Sequence, residues 1–278
     1  MPILTKSYII NITLGVACGA LFWFGLLSAL PKSANKNTIR IVAPLLPPQI
    51  DTNGTGREAE IISAAISAAD PSKKIEFHIM PFTRHWQTFK SDFRFDAVTT
   101  VPDEIYLEGI RSASYIQYQN GVFFWKNNFP NGLGNKPLKT LERSRIVSFA
   151  GSTVILPQLT ELSQKAQLYI ERANQLSHSI MFKSGFVDIV IADELIFEHY
   201  TREIIEDNLD ALEKEIYFAP IFCPTEYRMV FRSLALREIF DIGLKKITSN
   251  GVLEQINKKY QKRSFIARAS NSRKVCVK

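Results

Sequence analysis

Short apolar runs and helical spacings alternate along the chain, a pattern that predicts an α/β protein. Thr38 to Ala43 and Lys74 to Ile79 have the composition of β-strands, and the second run alternates apolar with polar residues. Glu58 to Ala69, between them, has the spacing of a helix. Strands that alternate with helices favour parallel sheets whose faces are covered by the helices.

One stretch of the chain occurs twice in approximate form. Residues 89–100 read FKSDFRFDAVTT, and residues 182–192 read FKSGFVDIVIA, which is one residue shorter before its Asp. In each copy we expect a helix that ends in Phe-Lys-Ser to pass through a turn residue, Asp92 or Gly185, into an Asp and a buried strand.

The repeat predicts where a ligand binds. The two strands end at Thr99-Thr100 and at Ala192-Asp193. Ligands of open α/β sheets bind in the crevice outside the carboxyl ends of the strands. The sequence therefore predicts two similar lobes that face each other across a cleft.

The remaining apolar runs set the domain boundaries. Val122 to Trp125 leaves the first lobe, and the strands around residues 217–231 return to it. We predict a first lobe of residues 37–124 and 218–262 and a second lobe of residues 125–217. The basic tail that follows, residues 263–278, is expected to be disordered.

The N-terminal segment from Ser7 to Leu30 has no charged residue. A bilayer is crossed by roughly 20 apolar helical residues, so this segment is a hydrophobic helix that enters or crosses a membrane. The best cleavage position, after Ala29, has Leu27 where a small residue is usual, which leaves a cleaved signal peptide and a retained anchor as alternatives. Residues 1–36 are therefore a signal or an inner-membrane anchor with a linker, and the folded part is expected to be periplasmic or extracytoplasmic.

The net charge of +7 does not indicate a nucleic-acid partner. Residues 1–36 hold three Lys, residues 261–278 hold six Lys or Arg, and neither segment has an acid, which leaves 25 basic against 27 acidic residues between them. Basic ends on a near-neutral body fit a membrane topology, whereas a nucleic-acid-binding surface needs its charge on one folded face.

The cysteines and the acidic cluster give no metal or cofactor site. Cys18, Cys223 and Cys276 form no CxxC pair, and because Cys18 lies in the apolar segment, at most a Cys223–Cys276 disulfide is available, with unpaired thiols as the preferred alternative. The cluster Asp193, Glu194, Glu198 and His199 lacks a second Glu-x-x-His set, so we interpret it as a solvated helix face.

The order of the elements, with the phrases PFTR, FDAV, SASYIQYQNGVFFWK, VDIVIADE and YRMVFR, resembles the bacterial extracellular solute-binding proteins of family 3. These are type II periplasmic binding proteins associated with polar amino-acid uptake, and the resemblance covers about residues 38–260. It implies two lobes, each a mixed, mostly parallel sheet flanked by helices, which are joined by two hinge crossings and close over a small polar solute. An ABC-type permease or a membrane receptor is the implied partner.

The resemblance also implies roles for particular residues. Phe82 packs on the ligand, Thr99-Thr100 contacts it from the first lobe, Ser152-Thr153 offers donors to an anionic group, and Asp193 pairs with an ammonium. Tyr118 and Tyr227, aromatic residues with polar tips, are further cleft candidates. Gly151-Ser152-Thr153 has a helix cap as its alternative role, as does Asp193, and Arg84 has a structural tie to the hinge as an alternative to ligand contact.

The sequence departs from the family at one position that matters. The amino-acid binders carry an Arg a few residues past the first-lobe strand, which grips the α-carboxylate of the ligand. Residues 101–108 read VPDEIYLE here, with no Arg and three acids. Either Arg84 or Arg111 substitutes, or the ligand lacks a carboxylate.

The chain has no GxSxG, HExxH or glycine-rich phosphate loop, which favours a protein that is not an enzyme. Two alternatives remain. One is a membrane-tethered sensing module without a transporter. The other is a small lyase or dehydratase on the same fold, with Asp193, Glu104 or His85 as its acid or base.

Overall fold

The computed structural model describes residues 37–205, 215–261 and 264–269. Within these ranges no helix is both long and apolar enough to cross a membrane. The predicted signal or anchor, residues 7–30, lies outside them.

The described residues form strands and helices in the order expected of two α/β units. The strands are β1 (Thr38–Pro44), β2 (Lys74–Met80), β3 (Ala97–Pro102), β4 (Ile110–Arg111), β5 (Ile116–Tyr118), β6 (Asn120–Trp125), β7 (Arg145–Phe149), β8 (Leu168–Arg172), β9 (Ile189–Asp193), β10 (Ile216–Ala219), β11 (Thr225–Phe231) and β12 (Ala267–Arg268). The helices are α1 (Arg57–Ala69), α2 (Arg84–Ser91), α3 (Pro137–Thr140), α4 (Ser152–Ile155), α5 (Leu159–Lys165), α6 (Leu176–Lys183), α7 (Glu194–Ile205), α8 (Leu234–Ser249) and α9 (Val252–Tyr260), with a 3-10 turn at Lys126–Asn128.

Two mixed sheets carry the fold, one in each lobe. The first has the order β2-β1-β3-β11-β4, with β5 also paired to β11. The second has the order β12-β10-β6-β9-β7-β8. In both, parallel strands adjoin one antiparallel strand that arrives from the other lobe, β11 in the first sheet and β6 in the second.

The sequence repeat is a repeat of structure. The strand order β2-β1-β3-β11 in the first sheet has β8-β7-β9-β6 as its counterpart in the second. The Asp96 carboxylate accepts a hydrogen bond from the Arg40 backbone N–H at 2.8 Å, and Asp188 accepts one from Arg145 at 3.0 Å. Each Asp therefore ties the start of its own strand to the first parallel strand of its lobe, which explains why both copies need an Asp there.

The first copy departs from its expected end at Thr99-Thr100. Strand β3 continues to Pro102, and its pairing with β11 shifts between Val98↔Val230 and Val101↔Arg228, so two residues of β3 face one of β11. Thr100 has a φ of 55° at this β-bulge. The bulge turns both threonines away from the regular ladder, because bulges re-aim side chains locally.

Both lobe boundaries differ from the predicted ones. The crossing into the second lobe lies earlier in the chain than predicted, and the crossing back to the first lobe lies later. Strand β6, which was predicted to belong to the first lobe, pairs with β9 and β10 in the second sheet. The two crossings are therefore at residues 118–120 and 219–225. The continuous apolar run of β6 does not indicate which sheet the strand joins, because the strand is buried on both faces of the sheet.

The basic tail contains an ordered segment, so the prediction of disorder is wrong for residues 264–269. Strand β12 pairs in parallel with β10 at the edge of the second sheet, and Ile266 is buried in the second-lobe core. Arg268 forms an ion pair with Glu194. Ile266 and Phe265 supply apolar contacts to the core of the second lobe, which the tail's high positive charge hid from composition alone.

Cys223 is disulfide-bonded, which makes the preference for unpaired thiols wrong at this position. Cys18 and Cys276 lie outside the described residues. Disulfides are most common in proteins of oxidising environments such as the periplasm.

Close helix packing completes the first lobe. Helix α8 crosses α1 at Gly243, where an added Cβ would lie 1.7 Å from the carbonyl oxygen of Ala65. The larger hydrophobic cluster includes residues of both lobes, among them Phe82 and Phe149. The lobes are therefore packed against each other, and the cleft is closed.

Candidate functional site

A small central cavity lies between the lobes, next to Asp193 at the carboxyl end of β9. Its volume is about 10 Å³. A cavity of this size holds about one water-sized group. The lining residues are Leu46, Phe82, Tyr118, Asn120, Phe149, Gln175, Asp193, Ile196 and Tyr227.

Asp193 is the charged residue of this cavity and also the N-cap of α7. Its Oδ1 accepts hydrogen bonds from the backbone N–H groups of Leu195 at 3.0 Å and Ile196 at 3.1 Å. Burial raises the pKa of Asp193 to about 6, although those two hydrogen bonds and the charge of Arg57 oppose the shift. Both roles predicted for Asp193, helix cap and cleft acid, are therefore compatible with one position.

Aromatic contact between the lobes closes the cleft. The rings of Phe82, from the first lobe, and Phe149, from the end of β7, are 6.3 Å apart between centroids in an edge-on arrangement. Phe82 also packs edge-on against Trp86 at 5.2 Å. The rings of Phe82 and Phe149 both line the central cavity.

A buried carboxylate, Glu58, organises the polar side of the first lobe. Its Oε1 accepts hydrogen bonds from the Thr100 hydroxyl at 2.8 Å and from the Tyr115 hydroxyl, and its Oε2 accepts one from Tyr118. Burial raises the pKa of Glu58 in spite of these donors. Sequence analysis missed this residue, because a Glu in the first turn of a helix is common on solvated helices.

Thr99 and Thr100 belong to this cluster. Both are fully buried, and their hydroxyls lie 2.9 Å apart. The Thr100 backbone also accepts a hydrogen bond from the Trp86 indole at 3.2 Å. The bulge therefore directs both hydroxyls toward Glu58, and neither residue lines the central cavity.

The predicted anion cradle of the second lobe holds a carboxylate of the chain itself. Glu171, on β8, accepts hydrogen bonds from the Gly151 N–H at 2.7 Å, the Ser152 hydroxyl at 2.8 Å, and the Thr153 N–H and hydroxyl, both at 3.1 Å. Burial alone would raise the pKa of Glu171, but these donors outweigh it and hold the pKa below its usual value. The hydrogen-bond donors expected to bind an anion are therefore present, and the carboxylate of Glu171 takes the place of that anion.

Tyr118 and Tyr227 form one polar wall of the central cavity. Their rings lie 4.5 Å apart between centroids. Burial raises the pKa of Tyr227, and the nearby charges of Asp193, Glu58 and Glu104 raise it further. The Tyr227 hydroxyl is thus surrounded by carboxylates from both lobes.

The arginines considered for carboxylate binding lie elsewhere. Arg84 is exposed at the start of α2 and does not line the central cavity. Arg111 donates to the backbone carbonyls of Pro102 and Ile105 and lies 3.5 Å from Asp103. It fixes the loop after β3, where the family's arginine was expected.

Of the predicted site residues, the structure brings Phe82, Tyr118, Asp193 and Tyr227 together around the central cavity. It places Arg84, Thr99-Thr100 and Ser152-Thr153 outside the lining. Sequence analysis missed Asn120, Phe149 and Gln175. Asn120 lies directly opposite Asp193 in the β6–β9 pairing and belongs to the segment SASYIQYQNGVFFWK, which carries part of the family resemblance.

The described residues contain no group of three or more His, Cys, Asp or Glu placed to hold a metal ion. In the acidic cluster of α7, Glu194–Arg268 and Glu198–Arg202 are ion pairs, and His199 Nε2 lies 3.1 Å from Glu203 Oε1. Asp193 and Glu198 are buried, so the prediction of a solvated helix face is wrong for these two residues.

No protein-family model and no curated protein matches the chain. Solved structures do. An amino acid ABC transporter substrate-binding protein from Streptococcus pneumoniae, bound to L-arginine, is 20% identical with a TM-score of 0.60 over 81% of this chain and 94% of that chain. A histidine kinase sensor domain similar to periplasmic binding proteins is 16% identical with a TM-score of 0.64, covering 81% of this chain and 96% of that chain.

A third similar structure is an ancestral amino acid-binding protein that is a precursor of cyclohexadienyl dehydratase. It is 18% identical with a TM-score of 0.63 over 82% of this chain and 96% of that chain. These structures confirm that the chain has the fold of a type II periplasmic solute-binding protein, as its sequence resemblance implied.

Proposed function

We propose that this protein is an extracytoplasmic solute-binding protein that closes two lobes over a small polar ligand, for transport or for sensing. The observation that carries the proposal is the central cavity. Both lobes contribute to it, with Tyr118 and Tyr227 from the first lobe and Asp193 from the second. A site that only the closed arrangement assembles gives a ligand the means to favour closure.

Three further observations support the location and the partner. Cys223 is disulfide-bonded, and the segment from Ser7 to Leu30 has the length and composition of a signal or an inner-membrane anchor. One similar structure is a transporter substrate-binding protein, and another is a kinase sensor domain. An ABC-type permease is the proposed partner, and a membrane receptor is the alternative.

Catalysis is the second candidate function, and the dehydratase precursor among the similar structures is the observation that favours it. Asp193 is the group best placed to act, since it lines the cavity with a pKa raised by burial to about 6. Burial lowers the pKa of His85 to about 3, so its ring is a weak base. We propose binding without turnover.

The test of binding is a thermal-shift screen of small polar solutes, guided by mass spectrometry of whatever co-purifies with the full-length protein. A ligand at a hundredfold excess over its Kd stabilises the native state by about 2.7 kcal/mol, which for this length raises Tm by about 5 to 10 °C. The ligand should be recovered chemically unchanged after long incubation. Conversion that Asp193→Asn abolishes would favour the enzyme instead.

A further inference from the structure

A second, larger cavity lies between the lobes beside the central one. Its volume is about 620 Å³, which is within the range of small-molecule sites. The lining residues are Asp103, Glu104, Ile155, Leu156, Pro157, Gln158, Cys223, Pro224, Thr225 and Glu226. The start of β11 is a wall of both cavities, because Thr225 and Glu226 line the larger one and Tyr227 lines the central one.

The two cavities carry acids and no basic side chain among their described lining residues. Asp103 is paired with Arg228 at 2.9 Å, and Arg228 also lies 3.5 Å from Glu226. Glu104 has no ion pair within the described part of the chain. A ligand carboxylate in the larger cavity would therefore face at least one uncompensated carboxylate at close range.

The central cavity contains an acceptor that lacks a donor. Gln175 is 6% exposed and lines this cavity, and its Oε1 is buried without a hydrogen-bond partner among the described residues. Leaving a buried acceptor unpaired destabilises the protein, because the acceptor has lost its hydrogen bonds to water. Asp193 faces the same cavity, and both of its hydrogen bonds fall on Oδ1. The unmet requirement of this cavity is therefore for donors.

The charges that face Asp193 from neighbouring elements do not meet this requirement. Arg57, in the first turn of α1, lowers the pKa of Asp193, but its Nε donates to Asn257 at 2.9 Å and it does not line the cavity. Glu194, next in the chain, acts in the opposite direction. The site thus presents a carboxylate and an amide oxygen to any group that enters it.

We infer that the ligand is an aliphatic amine without a carboxylate, with its ammonium group in the central cavity and the rest of the molecule, including any further ammonium, toward Asp103, Glu104 and Glu226. This inference rests on the proposed solute-binding function and names the chemical class of the solute. An ammonium is a compact donor of three hydrogen bonds, and its size suits a cavity of about 10 Å³. It satisfies Gln175 and Asp193 together.

The experiment compares amines with the amino acids from which they differ only by a carboxylate. Isothermal titration of the full-length protein would use agmatine against L-arginine, putrescine against L-ornithine, and cadaverine against L-lysine. At least one amine is expected to bind ten or more times tighter than its matched amino acid. Binding of each amino acid as tight as its amine overturns the inference and leaves solute binding standing.

Two other outcomes distinguish a failure of the amine assignment from a failure of the proposed solute-binding function. If none of these six compounds binds while another solute raises Tm, the amine assignment is wrong and the solute-binding function stands. If no solute in the screen binds, both are wrong.

A charge reversal tests the larger cavity. Glu104→Arg should weaken binding of the preferred amine at least tenfold, because it places a cation beside the ligand, and should narrow the preference over the matched amino acid. Glu108→Arg is the matched control, since Glu108 is also exposed, follows the same strand and does not line the cavity. Equal effects of the two variants would show that only net charge acts and would overturn the placement. Circular dichroism and Tm of the unliganded variants check that both fold.

Discussion

Each lobe holds a carboxylate near the cleft, and the two lobes hold it by different means. Glu58 is fully buried and accepts hydrogen bonds from three side-chain hydroxyls, yet burial raises its pKa. Glu171 is half-buried and accepts from two backbone N–H groups and two hydroxyls, and its pKa is lowered. Glu171 has more access to water than Glu58 and accepts from backbone N–H groups, and both differences favour its charged form.

The largest effect is expected from removing the first-lobe carboxylate. Glu58→Ala leaves three buried hydroxyls without their acceptor and opens a cavity, which should lower the free energy of unfolding by about 3 to 5 kcal/mol in a urea titration at pH 7. Glu58→Gln is the control, because it keeps the size and an acceptor oxygen and should stay within about 1 kcal/mol of the wild type. An alanine variant as stable as the wild type would contradict the cluster.

The next effect concerns Asp193, the acid that the second lobe presents to the cleft. The pKa of Asp193 rises from 3.8, its usual value, to about 6 in the folded protein. The free energy of unfolding therefore falls as the pH rises from about 4 to about 6, and the whole loss is present above pH 6. Asp193→Asn removes the charge and keeps the cap. It should raise the free energy of unfolding by up to about 3 kcal/mol at pH 8 and by almost nothing below pH 4.

Urea unfolding at both pH values checks this expectation. If Asp193→Asn were less stable than the wild type at pH 8, the charge of Asp193 would be compensated in the unliganded protein and the cavity would not lack donors. The same variant should lose amine binding.

A smaller effect is expected at Glu171, and it can be reversed from solution. Glu171→Ala empties the cradle formed by Gly151, Ser152 and Thr153 and should cost about 1 to 2 kcal/mol at pH 7. Added acetate should restore part of the lost Tm, because the cradle is half-exposed. It should restore nothing in Glu58→Ala. Rescue of both variants, or of neither, would remove the distinction between the lobes.

The smallest effect separates the two copies of the repeat. Gly185 has a φ of 72°, and an added Cβ there meets no atom within 4 Å, so Gly185→Ala should cost about 1 kcal/mol from backbone strain alone. Asp92, its counterpart in the first copy, has a φ of −118° that any residue adopts. Asp92 accepts hydrogen bonds from the Arg94 backbone N–H and guanidinium, so the matched change is Asp92→Asn, which keeps an acceptor oxygen. Asp92→Asn should change Tm less than Gly185→Ala, and the reverse order would contradict this difference between the two turns.

The repeated units of the fold could be predicted from local sequence, because each residue type that recurs has a structural role in each copy. The Phe-Lys-Ser helix ends, the turn residues and the two tying aspartates are all short-range features, and each has the predicted place in its lobe. Residue patterns alone could not assign β6 to a sheet, because an apolar strand has no preference for one partner over another until the tertiary structure forms.

The site was only partly predictable for a related reason. Asp193 follows from its position at a strand end, and Tyr227 follows from the polar tip of its aromatic ring. The hydrogen bonds of Thr100 and Ser152 could not be predicted in the same way. Each hydroxyl donates to a carboxylate of its own lobe that is distant in the chain: Thr100 to Glu58, 42 residues away, and Ser152 to Glu171, 19 residues away. Gln175 is revealed only by its buried, unpaired oxygen.

Strand β12 has a consequence for the mechanics of the hinge. After the two crossings near residues 119 and 222, the chain passes a third time between the lobes, from α9, which ends at Tyr260 in the first, to Ala267 in the second. Two adjacent strands leave a pair of rigid bodies free to swing widely about one axis. We expect this third connection, held to the second lobe by β12 and by the ion pair of Arg268 with Glu194, to limit how far the lobes could separate if they open and close as proposed.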